Sequence, residues 1–281
     1  MKELNERTAL LTGATGGLGP TIARRLVERG VRLAVSARES DRLHDLAEEV
    51  GARPVPADLG DRGAVRGLVE RAEEAIGPLD ILVNNAALEH CSSFERLTGQ
   101  ELEEIVAVNL TAPMELTRNA IPRMTARRGG HVVFVSSLSG FAGTAFEAPY
   151  AATKGALNAV CRSLRAEYID SPVGFSVVAP GSVAGQGMFA RGQADGIRVP
   201  RALRLTTPEA VGRAVVKAIE TDAPEVLVYP GPIRPTLAMG LFAPRAAERL
   251  NERLGLGRLF RPAAEARGRA STAETNGNEV R

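Results

Sequence analysis

The chain has 281 residues, of which 44% are hydrophobic and 24% charged, and a formal net charge of +2. These values suit a globular protein with an ample core, and they indicate neither a nucleic-acid partner nor a membrane span, which needs roughly 20 apolar residues in a row. The two cysteines, Cys91 and Cys161, have no metal-type spacing, so we expect a reduced, cytoplasmic protein.

Short apolar runs alternate with longer amphipathic stretches along the chain. The runs lack strict alternation, which predicts strands buried on both faces, and they begin at Thr8, Val31, Arg53, Leu79, His131, Gly174 and Glu225. The stretches predict helices over residues 21–29, 61–76, 100–124, 150–168 and 208–220. This order predicts an α/β fold, with a mostly parallel, seven-stranded, doubly wound sheet that has helices on both faces.

Most of these runs end in small or polar residues. The endings, in chain order, are Gly13, Arg38, Asp58, Asn84-Asn85, Ser136-Ser137 and Pro180-Gly181. In open parallel sheets, ligands bind beyond the carboxyl ends of the strands. We therefore expect these residues to converge on one rim and to form a binding site there.

A glycine-rich segment follows the first run and precedes a helix. Its candidate contacts to a cofactor phosphate are Gly13, Thr15, Gly16, Gly17, Leu18 and Gly19. Glycines let the backbone approach a pyrophosphate closely, and a helix N-terminus offers unpaired N–H groups to an anion. Taken alone, the segment is equally compatible with an ordinary glycine-rich turn.

The second and third runs end in charged residues that suit the adenosine half of a dinucleotide. An acidic residue at the end of the second run would hold the ribose hydroxyls of NAD. Arg38 stands there instead, and its cation can pair with the 2′-phosphate of NADP, which favours NADP(H) over NAD(H). Asp58, next to Leu59, suits the adenine amino group. A solvated arginine and a helix-capping aspartate are the alternative interpretations.

Tyr150 and Lys154 stand four residues apart in a chain that has only three residues of each type. Residues at this spacing lie on one face of a helix. A fixed ammonium group lowers the pKa of a nearby phenol, which suits general acid–base catalysis. The pair therefore predicts a proton-transfer site in which Lys154 lowers the pKa of Tyr150.

Together these segments resemble the short-chain dehydrogenase/reductase family, in its compact single-domain branch. The matching pieces lie in family order between residues 8 and 229: TGATGGLG, Asp58-Leu59, Asn84-Asn85-Ala86-Ala87, Asn109, Ser136-Ser137, Tyr150-x-x-x-Lys154 and Pro180-Gly181. The resemblance implies a Rossmann-like fold. It also implies an NAD(P)-dependent oxidoreductase that transfers hydride between a nicotinamide cofactor and a small-molecule carbonyl or secondary alcohol.

The resemblance further implies a role for each site residue. Tyr150 is the general acid or base, Lys154 also holds the nicotinamide ribose, Ser137 binds the substrate oxygen and Asn109 holds a water in a proton relay. The other implied cofactor contacts are Asn84, Asn85, Ala86, Pro180, Gly181 and Val183. Many relatives carry a threonine shortly after the Pro-Gly pair, whereas the next one here is Thr206. Relatives are usually homodimers or homotetramers.

The chain divides into three predicted parts. Residues 1–230 form one dinucleotide-binding and catalytic domain, with a substrate lid at about 182–206 whose arginines indicate either an anionic substrate or a solvated loop. Residues 231–261 form a helical extension, in which 236–260 is an amphipathic helix that contacts a membrane surface or another part of the protein. Residues 262–281 are expected to be disordered.

The alternative functions are a membrane-peripheral enzyme acting on a lipid and a non-catalytic dinucleotide-binding regulator.

Overall fold

The computed structural model describes residues 3–127, 129–185, 187–194, 196–200 and 203–278. Seven strands form one sheet in these ranges: β1 (Thr8–Thr12), β2 (Arg32–Ser36), β3 (Arg53–Pro54), β4 (Ile81–Asn84), β5 (Gly130–Val135), β6 (Val173–Pro180) and β7 (Glu225–Val228). Their order is β3-β2-β1-β4-β5-β6-β7, and each neighbouring pair is parallel. The predicted seven-stranded α/β fold is confirmed.

Helices connect and flank the strands. In the described ranges they are α1 (Gly19–Val27), α2 (Asp41–Val50), α3 (Arg62–Arg66), α4 (Leu68–Ile76), α5 (Gly99–Val106), α6 (Ala112–Ala126), α7 (Ser139–Ala142), α8 (Ala148–Glu167), α9 (Gly187–Ala194), α10 (Pro208–Thr221), α11 (Arg234–Phe242), α12 (Pro244–Arg253) and α13 (Arg261–Asn278). The predicted helix 61–76 is divided at Gly67 into α3 and α4. The predicted helix 100–124 is interrupted by a π-helical turn, Ala107–Thr111, between α5 and α6.

Two hydrophobic layers cover the sheet, one on each face. Successive strand side chains point to opposite faces, so Leu11 and Val35 pack on one side while Leu10 and Leu82 pack on the other. The first layer includes the buried faces of α1, α2 and α10, and the second those of α4, α6 and α8. Each fully buried Leu or Val side chain contributes about 1.5–3 kcal/mol to folding.

The strand order reverses between β1 and β4, which lie side by side although they are far apart in the sequence. The chain runs outward from β1 through β2 to β3, then crosses back to β4 and continues to β7. A crevice opens above the carboxyl ends of the strands at such a switch point. The glycine-rich segment after β1 and the Asn84-Asn85 turn after β4 both meet there.

The C-terminal part differs from the sequence prediction. The single amphipathic helix expected over 236–260 is instead divided by Pro244 and by Gly255, whose φ is +73°. The expectation of disorder from residue 262 is wrong for the first turns of α13, because Ala263 and Ala264 are buried there. An apolar cluster explains this packing, since Ala263 joins Leu259 against Phe189 and Ile197, which lie in the segment predicted to be a lid.

Helix α11 leaves large apolar side chains in solvent. Leu241 is 76% exposed and Phe242 is 83% exposed. Across the described ranges, no helix combines the length and the apolar character that crossing a bilayer requires. Contact of this extension with a membrane surface or with a partner subunit stays a prediction.

Candidate active site

Helix α8 brings Tyr150 and Lys154 to one place. Lys154 is 2% exposed, and its Nζ lies 5.6 Å from the centroid of the Tyr150 ring. The same Nζ donates a hydrogen bond of 2.8 Å to the carbonyl oxygen of Val135, the last residue of β5. The amine is therefore fixed between the end of a central strand and the aromatic ring, as the spacing on the helix predicts.

The segment after β5 supplies the two serines. Ser137 Oγ lies 2.6 Å from Ser139 Oγ, and the Ser137 side chain lowers the pKa of the nearby Tyr150 phenol. Ser136 has a structural role, since its Oγ donates to the carbonyl oxygen of Lys154 at 3.0 Å and so ties the strand end to α8. The structure thus places Ser137, Tyr150 and Lys154 together.

Asn109 lies in the π-helical turn between α5 and α6 and is buried. Its Oδ1 accepts from the N–H of Leu88 at 2.7 Å, and its Nδ2 donates to the carbonyl oxygen of Leu88 at 2.8 Å and to Thr153 Oγ1 at 3.2 Å. The side chain therefore clamps the segment after β4 against α8. Single π-helical turns occur frequently at functional sites. The predicted water relay through Asn109 stays a prediction.

The ionisation of Tyr150 differs from the expectation. Burial raises its pKa above the ordinary value of about 10, the carboxyl groups of Glu89 and Glu147 raise it further, and the Ser137 side chain lowers it. Burial also lowers the pKa of Lys154 to about 8. The prediction of a lowered Tyr150 pKa is therefore wrong for this structure, because burial and two nearby acids raise that pKa.

The glycine-rich segment after β1 forms a cradle in which two of the glycines leave no room for a Cβ. Gly13 has φ +63°, and a Cβ there would lie 2.5 Å from the Cα of Ala86. A Cβ on Gly19 would lie 2.2 Å from the carbonyl oxygen of Ala14. Helix α1 begins here with no side-chain cap on its N–H groups. The cradle and the open helix end fit the pyrophosphate of a dinucleotide.

Asn85 ties this cradle to the end of β4. Its Nδ2 donates to the carbonyl oxygens of Thr12 and Gly13, each at 3.0 Å, and Thr12 Oγ1 accepts from the N–H groups of Asn85 and Ala86. The side chain of Asn84 is buried and turns away to Thr117, whose Oγ1 accepts from Asn84 Nδ2 at 3.3 Å. Asn85, rather than Asn84, therefore carries the side chain that meets the loop.

Two arginines flank the cradle on the side of β2. Arg38 is exposed just beyond the strand, as predicted. Arg42, in the first turn of α2, is also exposed and donates from its guanidinium to the carbonyl oxygen of Thr15 at 3.1 Å. Arg42 was not predicted, because α2 was not among the predicted helices. The helical spacing of its buried residues would have indicated this helix: Leu43, Leu46, Ala47 and Val50.

Asp58 is exposed, and its Oδ1 accepts from the N–H of Gly60 at 2.8 Å, while Leu59 is buried. This bond closes a turn and caps no helix. The helix-capping role that we gave as the alternative to adenine binding belongs to Asp61, whose side chain accepts from the N–H of Gly63 at the start of α3. The adenine contact of Asp58 stays a prediction.

The Pro180-Gly181 segment continues from β6 toward the lid. A Cβ on Gly181 would lie 3.1 Å from the ring of Tyr229, so the backbone passes close to that ring. Val183 forms an isolated parallel bridge with Thr206, and the N–H of Thr206 donates to the carbonyl oxygen of Ser182 at 2.9 Å. Many relatives carry a threonine in the segment after Pro-Gly, and this chain does not. The fold places the next threonine of the chain, Thr206, directly beside that segment.

The structure describes only some of the arginines in the segment predicted to be a lid. Arg198 is exposed, and Arg204 donates from its side chain to the carbonyl oxygen of Pro230 at 3.2 Å. Arg201 lies outside the described residues. The lid role of residues 182–206 stays a prediction.

Known proteins share both the sequence pattern and the fold. A family model described as short chain dehydrogenase matches residues 7–195. The ketoacyl reductase HetN of Nostoc sp. is 34% identical over 266 residues, covering 91% of this chain and 92% of that protein. Nodulation protein G of Rhizobium meliloti is 35% identical over 185 residues, covering 65% of this chain and 76% of that protein.

Solved structures agree with these relatives. A 3-oxoacyl-(acyl-carrier-protein) reductase of Agrobacterium tumefaciens C58, solved with NADP bound, has a TM-score of 0.74 and 28% identity, covering 82% of this chain and 95% of that chain. An actinorhodin polyketide ketoreductase variant solved with NADPH has a TM-score of 0.74 and 26% identity, covering 82% and 98%. This chain therefore belongs to the short-chain dehydrogenase/reductase family and is an oxidoreductase.

Proposed function

We propose that the protein reduces a carbonyl group with NADPH, and that Tyr150 is the proton donor. The observation that carries this proposal is the meeting of Tyr150, Ser137 and Lys154 at the rim where the glycine cradle also lies. A pure dinucleotide-binding regulator needs no such proton-transfer set, so the site favours an enzyme over that alternative.

The side chains divide the chemistry among them. A bound nicotinamide dinucleotide supplies the hydride. Ser137 holds the carbonyl oxygen by a hydrogen bond, and the hydroxyl of Tyr150 gives this oxygen its proton, so the carbonyl becomes an alcohol. A positioned acid of this kind contributes about 10² to 10⁴ in rate. Lys154, fixed by the carbonyl oxygen of Val135, keeps a positive charge or a donor beside the ring while the phenol loses its proton.

The cofactor preference is assigned to the two arginines beside the cradle. Arg38 and Arg42 are both exposed, and Arg42 is held against the loop by its bond to Thr15. Guanidinium groups pair well with phosphate, and such a pair suits the 2′-phosphate of NADP. Two structural neighbours that carry NADP or NADPH support this choice.

The double variant Arg38→Ala/Arg42→Ala should raise the KM for NADPH by about 10- to 100-fold, which corresponds to the loss of about one to two charge-assisted hydrogen bonds. The KM for NADH should change far less, because NADH has no 2′-phosphate. Steady-state kinetics with both cofactors measure the ratio, with the exposed Arg62→Ala as control. Equal losses with both cofactors would mean that the arginines only support the loop.

We assign the substrate to the class of 3-oxoacyl thioesters. A ketoacyl reductase, a 3-oxoacyl-carrier-protein reductase and a polyketide ketoreductase are among the similar proteins, and these names share a ketone on an acyl chain. The test is NADPH consumption by purified protein over 3-oxoacyl thioesters, simple ketones and aldehydes. We expect turnover that is fastest with the thioesters. Tight NADPH binding without turnover on any member would overturn the proposed function.

A further inference from the structure

Two short helices after the sheet, α11 and α12, leave large apolar side chains in solvent. At the end of α11, Leu241 is 76% exposed and Phe242 is 83% exposed. Leu250 in α12 and Leu254 at its C-terminus are 36% and 37% exposed. The two helices contact each other, and we call residues 234–254 the α11–α12 unit. Exposed apolar side chains that cluster in this way mark a site that binds a partner or a membrane.

Helix α12 has an arginine stripe beside its leucines. Arg245, Arg249 and Arg253 recur at every fourth residue and are exposed, so they lie along one side of the helix. Leu250 and Leu254 each follow one of these arginines directly, which places them on the neighbouring side. The two glutamates of the helix precede the same arginines, so they lie on the side away from the leucines. The helix therefore has an apolar side bordered by guanidinium groups, as helices that lie in the headgroup region of a bilayer have.

The charge of this part of the chain is one-sided. Residues 234–261 contain six arginines and two acidic residues, a net charge of +4, whereas the whole chain carries +2. The rest of the chain therefore carries a net charge of −2. Among the described residues, Arg234 pairs with Glu225, while none of the three arginines of the stripe forms an ion pair. Their guanidinium groups are thus available to an anionic partner, and such groups pair well with phosphate.

The α11–α12 unit lies at the same rim as the active site. In a parallel sheet the carboxyl ends of the strands share one edge, and α11 follows the carboxyl end of β7. Helix α11 contacts α7, which begins two residues after Ser137. The segment that leads to α11 is also tied to the predicted lid. Arg204 donates from its backbone to the hydroxyl of Tyr229 at 3.3 Å and from its side chain to the carbonyl oxygen of Pro230 at 3.2 Å. A surface that binds the unit therefore lies next to the catalytic rim.

We propose that the α11–α12 unit docks on an anionic lipid bilayer. Leu241 and Phe242 enter the boundary between headgroups and acyl chains, and the arginine stripe pairs with lipid phosphates. A second copy of this chain is the competing occupant of the same surface. The charge argues against it, because an isologous contact would bring together two surfaces of net charge +4. The inference goes beyond the proposed function, since it concerns where the enzyme works and needs no turnover.

The first test is sedimentation of the purified full chain with vesicles of phosphatidylcholine, with and without phosphatidylglycerol. We expect about 10-fold tighter binding to the anionic vesicles, and weaker binding at high salt, because salt screens the attraction. The double variant Leu241→Ser/Phe242→Ser should weaken binding by about 10-fold or more, because two apolar side chains no longer leave water. The matched control is Ile169→Ser, which changes a side chain that is 77% exposed beyond the end of α8 and should leave binding unchanged.

The second test removes charge without changing the apolar side chains. Arg249→Gln/Arg253→Gln should weaken binding to anionic vesicles by about 10-fold and leave the weaker binding to neutral vesicles unchanged. The matched control is Arg62→Gln/Arg66→Gln, because these two arginines are also exposed and four residues apart on a helix.

Equal binding by these variants and their controls, or no vesicle binding by the wild type, would overturn the inference. Sedimentation equilibrium without lipid examines the competing occupant. A wild-type oligomer that binds no vesicles, and that Leu241→Ser/Phe242→Ser dissociates, would assign the surface to a second copy. Neither test uses a substrate, so a failure of the proposed function in turnover assays would leave this inference standing.

Discussion

Tyr150→Phe should lower kcat for carbonyl reduction by about 10² to 10⁴, which is what a positioned general acid contributes. The variant keeps the ring that lies 5.6 Å from the Lys154 amine and removes only the hydroxyl. Because the glycine cradle and the arginines beside it are untouched, NADPH binding should persist. Stopped-flow reduction at saturating NADPH, together with a separate measurement of NADPH affinity, separates the two effects.

The matched control is Tyr168→Phe. Tyr168 lies outside the site and packs against Phe175, with ring centroids 5.7 Å apart. This variant should retain wild-type kinetics. Comparable reduction rates in Tyr150→Phe and in the wild type would remove Tyr150 from the chemistry.

Gly13→Ala should destabilise the protein and abolish dinucleotide binding. The backbone of Gly13 is left-handed, which costs about 1–2 kcal/mol for any residue with a Cβ. The new methyl group would also meet the Cα of Ala86 at 2.5 Å, in the turn after β4, so one of the two loops must shift. Thermal unfolding and NADPH binding measure the two consequences.

Gly51→Ala isolates the conformational part of this cost. Gly51 ends α2 with φ +65°, and a Cβ there has no neighbour within 4 Å. The Tm of the Gly51→Ala variant should therefore fall only by the cost of placing a residue with a Cβ in the left-handed conformation. The variant should still bind NADPH. If both variants lose the same stability and both bind NADPH, the close approach of the two loops has no part in cofactor binding.

The sequence predicted the elements that depend on local pattern. Apolar runs predicted the seven strands. The central strands β1, β4 and β5 are buried throughout, as runs without polar alternation predict, whereas the edge strands β3 and β7 are partly exposed. The four-residue spacing of Tyr150 and Lys154 placed both on one face of α8, where the structure has them. The position of the glycine-rich segment after the first strand indicated the cradle, and the left-handed φ of Gly13 explains why glycine stands there.

Features that depend on contacts between distant parts of the chain could not be predicted from local sequence pattern. Arg42 reaches Thr15 across 27 residues, and Thr206 meets Val183 only because the chain returns along the lid. The pKa of Tyr150 was predicted in the wrong direction, because Glu89 and the depth of burial are set by tertiary packing. None of these three effects leaves a spacing signal in the sequence.

The proposed function requires hydride transfer from NADPH to a carbonyl carbon at this site. The most direct measurement uses NADPH deuterated at the transferring position of C4, a 3-oxoacyl thioester and purified protein, followed by mass spectrometry and NMR of the product. We expect a 3-hydroxyacyl thioester that carries deuterium on the new alcohol carbon, formed at the rate of NADPH loss. Loss of NADPH without deuterium in the product would contradict the proposed function.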